Sequence, residues 1–270
     1  MRMNGKVWVV TGAGSGMGRE LVLQMVGHGA RVAAVDLDPE ALQQTAALAA
    51  AGDRVSTHVC DITVQAGVEA LPDAVVVAHG CVDGLVNNAG IIQKFVPVSQ
   101  IDDATVNHVM DVNFYGTLHM VRAFLPLLLE RPEAHIANVS SMGGFFPFPG
   151  QTIYGASKAA VKLLTEGLYA ELLETGVSVS VIMPGAVATA IAEHSGVEAP
   201  EMGEGSVRMT SADKAARIML EGLEKDKLYI YVGLDSRLMG LAIKVAPRRA
   251  IRFVKQQMDK RTATPEAVSA

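Results

Sequence analysis

The stretch Val7-Trp8-Val9-Val10-Thr11-Gly12-Ala13-Gly14-Ser15-Gly16-Met17-Gly18 sits near the start of the chain. An apolar run over Lys6–Val10 leads into four glycines at alternate positions, and a helical pattern follows to about Gly29. Glycines between a strand and a helix permit unusual φ values and close approach of a pyrophosphate, whose charge would sit at the helix N-terminus. The spacing is not the common GxGxxG, because Met17 and Arg19 occupy the places where that motif wants its last glycine. It is not a Walker loop either, since no Gly-Lys-Ser/Thr follows. A turn without a ligand is the bland alternative. Asp36 counts against it. It ends the second apolar run eighteen residues after Gly18, where a carboxylate can accept both hydroxyls of an adenosine ribose. Alone, Asp36 could equally cap the turn that follows.

Beyond that turn, strands are expected at Arg31–Val35, Arg54–Val59, Gly84–Val86, Ala134–Val139, Val177–Ile182 and Leu228–Val232. Helices are expected at Pro39–Ala51, near Gln65–Ala78, over Asp103–Leu129, at Ile153–Glu174 and at Ser211–Glu224. Such alternation predicts an α/β fold, a Rossmann-like doubly wound parallel sheet with helices on both faces. No repeat or linker divides the chain, so residues 1–270 are read as a single dinucleotide-binding and catalytic domain. The texture changes after Pro184: residues 186–210 carry glycines, a proline and methionines with weak periodicity, as a substrate loop or lid would. The tail over about 236–260 reads as two short helices meeting at Pro247.

Half of the residues are hydrophobic and 19% are charged, enough for a sizeable core. A net charge of −5 argues against a nucleic-acid partner. No apolar run is long enough to span a bilayer, and no apolar signal segment precedes the first strand, so a cytoplasmic protein is expected. Cys60 and Cys81 form no CxxC pair, and the histidines show no metal-ligand spacing. The sequon at Asn138-Val139-Ser140 is read as incidental.

Tyr154 and Lys158 stand four residues apart on an expected helix, so they share one face. Most such pairs are surface pairs. The rest of the chain changes that reading. Thr11-Gly12-Ala13-Gly14-Ser15-Gly16-Met17-Gly18, Asp61-Ile62, Asn87-Asn88-Ala89-Gly90, Asn113, Ser140-Ser141, Tyr154-Gly155-Ala156-Ser157-Lys158 and Pro184-Gly185 with Thr189 occur in order. In these motifs the chain resembles the classical short-chain dehydrogenase/reductase family, over about residues 4–189.

The resemblance implies an oxidoreductase that interconverts a secondary alcohol and a ketone by hydride transfer. Tyr154 would be the general acid/base, with its pKa lowered by the Lys158 ammonium and the nicotinamide. Lys158 would also bind the nicotinamide ribose. Ser141 would hold the substrate oxygen, with Ser140 as the fallback. Asn113 would hold a water linking Lys158 to solvent. Cofactor contacts would come from Gly12, Ser15, Gly16, Met17, Gly18, Asp36, Asp61, Ile62, Asn88, Ala89, Gly90, Tyr154, Lys158, Pro184, Gly185, Val187 and Thr189. Asn87 is read as structural.

Asp36, with Ser15 and Leu37 where a phosphate clamp would need cations, points to NAD over NADP. Phe145-Phe146-Pro147-Phe148-Pro149 lies where the family builds its substrate wall, and with the methionine-bearing loop it suggests a lipophilic alcohol or ketone. The resemblance also implies a homo-oligomer, a dimer or tetramer. Apolar stripes in the tail (Leu238, Leu241, Ala242, Val245; then Ile251, Val254, Met258), beside Arg248, Arg249, Arg252, Lys255, Lys260 and Arg261, allow membrane contact. Core, lid or subunit packing is the favoured reading of that tail. The alternative function, a catalytically silent nucleotide sensor or scaffold on the same fold, has no need for Ser141, Tyr154 and Lys158 together.

Overall fold

A computed structural model describes residues 1–197 and 209–262, with side chains as far as residue 259. The glycine stretch links β1 (Val7–Thr11) to α1 (Gly16–Gly27), and β2 (Arg31–Asp36), α2 (Pro39–Ala49) and β3 (Val55–Val59) follow. Next come α3 (Gln65–Glu69), α4 (Leu71–His79), β4 (Gly84–Asn87), α5 (Asp103–Met110), α6 (Thr117–Leu129) and β5 (Ala134–Val139). The chain continues through α7 (Thr152–Glu171), β6 (Val177–Pro184), β7 (Val187–Ala188), α8 (Ile191–His194) and β8 (Thr210–Ser211). It closes with α9 (Ala212–Glu224), β9 (Tyr229–Val232), α10 (Leu234–Val245) and α11 (Pro247–Thr262).

Seven of these strands form one sheet in the order β3-β2-β1-β4-β5-β6-β9, parallel throughout, and β7 pairs separately with β8. Alternation along β1 explains the two layers. Trp8 and Val10 enter one apolar core with Leu21, Val22 and Met25 of α1 and Met219, Leu220 and Leu223 of α9. Val7 and Val9 enter the other with Val75 of α4, Met120 and Phe124 of α6 and Leu168 of α7. Because both faces are covered, β1 is buried along its whole length, as a central parallel strand must be.

Three expected helices differ from their sequence reading. The segment near 65–78 is two helices, because Pro72 cannot donate to the turn before it and α4 starts afresh at Leu71. The long helix over 103–129 is interrupted by a π-helical turn at Asp111–Gly116. The helix expected to reach Glu174 ends at Glu171, and Thr175 closes the chain back on Leu172 O. The expected loop at 186–210 contains the short β7, α8 and β8, and residues 198–208 of it lie outside the described residues. No described helix is long and apolar enough to cross a membrane. Asn138 of the sequon is wholly buried in β5, where it bonds Asn87 and Thr165. That ladder fits the structural reading of Asn87.

Candidate active site

The strand order reverses between β1 and β4, and a ligand crevice opens there beyond the carboxyl ends of the strands. Its floor is stitched together by Thr11, whose buried hydroxyl accepts N–H groups from Asn88 at 3.0 Å and Ala89 at 3.1 Å. Asn88 returns the tie by donating its carboxamide to Thr11 O and Gly12 O. Two of the glycines are forced by geometry. Gly12 has φ +65°, and a Cβ there would lie 2.9 Å from Ala89 Cα; a Cβ on Gly18 would lie 1.9 Å from Gly12 O. The start of α1 is thus pressed against the turn, and the Ser15 side chain does not cap its N–H groups. Helix N-termini of this kind attract phosphate charge.

The cleft has a volume of about 590 Å³ and runs past Asp36, Ile62, Ala89 and Gly90 to Thr189 and His194. At one end Asp36 Oδ2 accepts the Gly14 N–H at 2.8 Å, and its Oδ1 accepts the Asp38 N–H at 3.1 Å. Asp38 itself turns away and caps α2 through Glu40 N and Ala41 N. Asp61 holds Thr63, and Ile62 is buried at the cleft wall. At the other end Ser15 Oγ meets His194 Nδ1 at 3.3 Å, and Ser195 Oγ accepts the Ile92 N–H at 3.0 Å. The segment around α8 therefore spans the cleft from one lip to the other.

Gly90 leads from the cleft to the second cluster. A Cβ on it would lie 2.9 Å from Lys158 Nζ and 3.0 Å from Asn113 Oδ1. Lys158 is buried and donates to Val139 O at 3.0 Å. Asn113, in the π-helical turn, accepts the Ile91 N–H and donates to Ile91 O and to Ser157 Oγ, each at 2.9 Å. Its carboxamide thus pins the loop after β4.

The two candidate serines separate cleanly. Ser140 is buried and donates to Lys158 O at 2.7 Å, whereas Ser141 accepts the Gly143 N–H and lies with the Tyr154 ring beside Gly143.

Burial pushes the Lys158 ammonium down to about 8, because little water remains to solvate its charge. Tyr154 is half-buried as a residue. The protein packed around its phenol raises the pKa, and the Ser141 hydrogen bond lowers it less. In the protein alone burial therefore outweighs the Ser141 hydrogen bond, and the expected lowering by the Lys158 ammonium is not seen. The nicotinamide charge in that expectation belongs to the cofactor.

Some supporting residues had no clear signal in the sequence. Gln93 Oε1 accepts the Tyr154 N–H at 2.8 Å, its Nε2 donates to Gly150 O, and Gln151 donates to its main-chain oxygen. Arg19 donates to Gly14 O and to Thr45 Oγ1, which places a cation behind the glycine loop and outside the cleft lining. Asp235 accepts the Ala186 N–H at 2.7 Å and underpins Pro184-Gly185. Gly185 leaves room for it, since a Cβ there would lie 2.2 Å from the Asp235 carboxylate. The aromatic stretch divides: Phe146 is fully buried against Phe148, whereas Phe145 stacks edge-on with Tyr231 at 6.0 Å.

A family model described as short chain dehydrogenase matches residues 6–199. The chain belongs to that family. Among curated relatives of this short-chain dehydrogenase, the 1-deoxy-11-beta-hydroxypentalenate dehydrogenase of Streptomyces exfoliatus is 35% identical over 241 residues. That match covers 88% of this chain and 86% of the relative. A short-chain dehydrogenase/reductase from Burkholderia phymatum, solved in complex with NAD, is similar in structure. It has a TM-score of 0.80 and 29% identity, with both chains fully covered. A short-chain dehydrogenase from Burkholderia cenocepacia J2315, solved in complex with NADP, has a TM-score of 0.78 and 28% identity. That match covers 98% of this chain and 100% of the other. This chain is thus an oxidoreductase of a fold whose solved members hold either nucleotide.

Proposed function

We propose that this short-chain dehydrogenase interconverts a secondary alcohol and a ketone, with NAD as its preferred cofactor. The observation that carries the reading is that Ser141 and Tyr154 meet beside Gly143, while Lys158, one helical turn on from Tyr154, reaches Gly90 at the cleft wall. The cleft fits a dinucleotide. Gly12 and Gly18 bring the main chain to the start of α1, Asp36 stands where the adenosine ribose would lie, and Asn88, Ala89 and Gly90 wall the middle. A bound nicotinamide supplies or accepts the hydride.

The remaining work falls to this chain. The Ser141 hydroxyl holds the substrate oxygen beside the Tyr154 phenol. In the oxidation direction Tyr154 takes the alcohol proton as the C–H hydride departs; in reduction it returns that proton to the forming alkoxide. Lys158, already short of solvent, stabilises charge on the phenol oxygen through space. Asn113 and Gln93 position these groups through Ile91 and the first turn of α7. Phe145 and Tyr231 beside the serine loop favour a lipophilic substrate over a sugar.

The test is a panel of alcohols with NAD and ketones with NADH, followed by the absorbance of the reduced nicotinamide. Turnover of a secondary alcohol that Tyr154→Phe abolishes supports the proposal. Cofactor binding without turnover of any alcohol or ketone would instead favour a silent nucleotide sensor.

A further inference from the structure

Of the kinds of packing expected for the tail, burial in the core is not what the structure shows for the apolar stripe of α10. Leu234, Leu238, Leu241 and Val245 fall on one face of α10, and all are more than half exposed, at 71%, 51%, 62% and 75%. The groove between α10 and α11 is lined by Leu238, Leu241, Ala242, Val245, Ala246 and Phe253, and Phe253 is itself 55% exposed. Four exposed apolar side chains in one row, continued by Phe253, are more than scattered surface leucines and mark an interaction site. Its charge identifies the partner. Residues 234–259 carry six cations, Arg237, Lys244, Arg248, Arg249, Arg252 and Lys255, against two acids, Asp235 and Asp259. The whole chain has 23 basic and 28 acidic side chains, so the positive charge of this hairpin is segregated from an acidic body.

We infer that the α10–α11 hairpin is a docking surface for an anionic lipid bilayer, lying on it rather than crossing it. Exposed leucines and phenylalanine bordered by arginines are what an interfacial amphipathic helix needs. The acidic body is repelled by the same lipids, which would orient the molecule with the hairpin down. A two-fold pairing of hairpins would instead set one cationic patch against another. The other face of α10 packs at Gly240 near Phe145 and Tyr231, so the hairpin borders the serine loop. Docking would bring that side of the site to the lipid.

The experiment is sedimentation of the full chain with phosphatidylcholine vesicles and with vesicles containing phosphatidylglycerol. Binding is expected to the anionic vesicles alone and to fall steeply with added salt. Each cation near an anionic surface contributes about fivefold in affinity. Arg248→Glu/Arg249→Glu/Arg252→Glu should therefore lose at least about a hundredfold. Leu241→Ser/Phe253→Ser should weaken binding while leaving turnover of a soluble alcohol unchanged. Circular dichroism and cofactor binding establish that the variants fold. Equal sedimentation with neutral vesicles, or none with anionic ones, overturns the inference. So does a fall in solution mass of the serine variant without any vesicle binding by the wild type, which would make the face a contact between copies.

Discussion

The Gly14 N–H donates to Asp36 Oδ2 at 2.8 Å, so the carboxylate that ends β2 is fixed against the glycine loop it faces. Because the Asp38 N–H holds the other oxygen, the side chain cannot swing aside without breaking a bond. A cofactor phosphate about 4 Å from such a charge is repelled by ~4 kcal/mol at an effective dielectric of about 20, less after solvent screening. Among the described residues, the nearby cations do not offset this. Arg19 is spent on Gly14 O, Thr45 and Gln44 behind the loop, and Arg31 pairs with Asp53 at the far end of β2. The expected outcome is a preference for NAD over NADP of at least about tenfold in kcat/KM. Asp36→Ala should narrow it, chiefly by weakening NAD. Steady-state kinetics with both cofactors checks this, and equal efficiency with NADP in the unmodified protein refutes it.

Tyr154→Phe removes one hydroxyl and leaves the ring. General acid–base catalysis contributes typically ~10²–10⁴-fold, so kcat should fall by that order while the NAD dissociation constant stays within about twofold. The wild-type oxidation rate should rise with pH, because the phenol must lose its proton before it can accept one. Burial raises the Tyr154 pKa and lowers that of Lys158 in the protein alone. The inflection should therefore move to lower pH once oxidised cofactor adds positive charge. It belongs to the Tyr154–Lys158 system rather than to either residue. Phenol absorbance titrated with and without NAD is the direct measurement.

Gly90→Ala tests the join between cleft and catalytic cluster. The added methyl would meet Lys158 Nζ at 2.9 Å and Asn113 Oδ1 at 3.0 Å, so one of them must shift. Displacement of a catalytic group by about 1 Å can cost ~10²-fold. A fall in kcat of at least about tenfold is expected, with the folded state retained. Gly27→Ala, at the end of α1 with no neighbour in reach, serves as the control and should leave the rate unchanged.

The sequence revealed the fold through features with fixed periods and fixed chemistry. The apolar runs, the glycine turn and Asp36 all lie where local pattern and strand order agree. Spacing gives Tyr154 and Lys158 a shared helix face but alone reads as a surface pair; their proposed roles rest on the resemblance carried by the ordered motifs. What escaped depends on contacts distant in the chain. Gln93 reaches Tyr154 across 61 residues, and Asp235 reaches Ala186 across 49. No local period records such ties. The π-helical turn at Asn113 is likewise invisible to a helical pattern that continues through it. The tail's stripes were visible as stripes, but whether they meet core or solvent is a tertiary fact.

Acid stability should depend on one buried histidine. His135 is fully buried in β5, its Nε2 bonded to Ser180 Oγ at 2.8 Å and its ring tilted against Trp8 at 6.1 Å. Its Nδ1 has no partner, and burial drives the pKa down to about 4 from the ordinary 6.5. Between those two values the unfolded chain binds a proton that the folded chain does not, so stability rises with pH there and is lost as pH falls. This single group should remove ~2 kcal/mol of unfolding free energy between about pH 7 and pH 5. Replacing it by glutamine keeps a polar side chain beside Ser180 without a titrating ring. His135→Gln should lower stability at neutral pH and flatten the loss on acidification. Urea unfolding of both proteins at the two pH values measures the difference. An identical acid-dependent loss in the variant would show that His135 is not the group responsible.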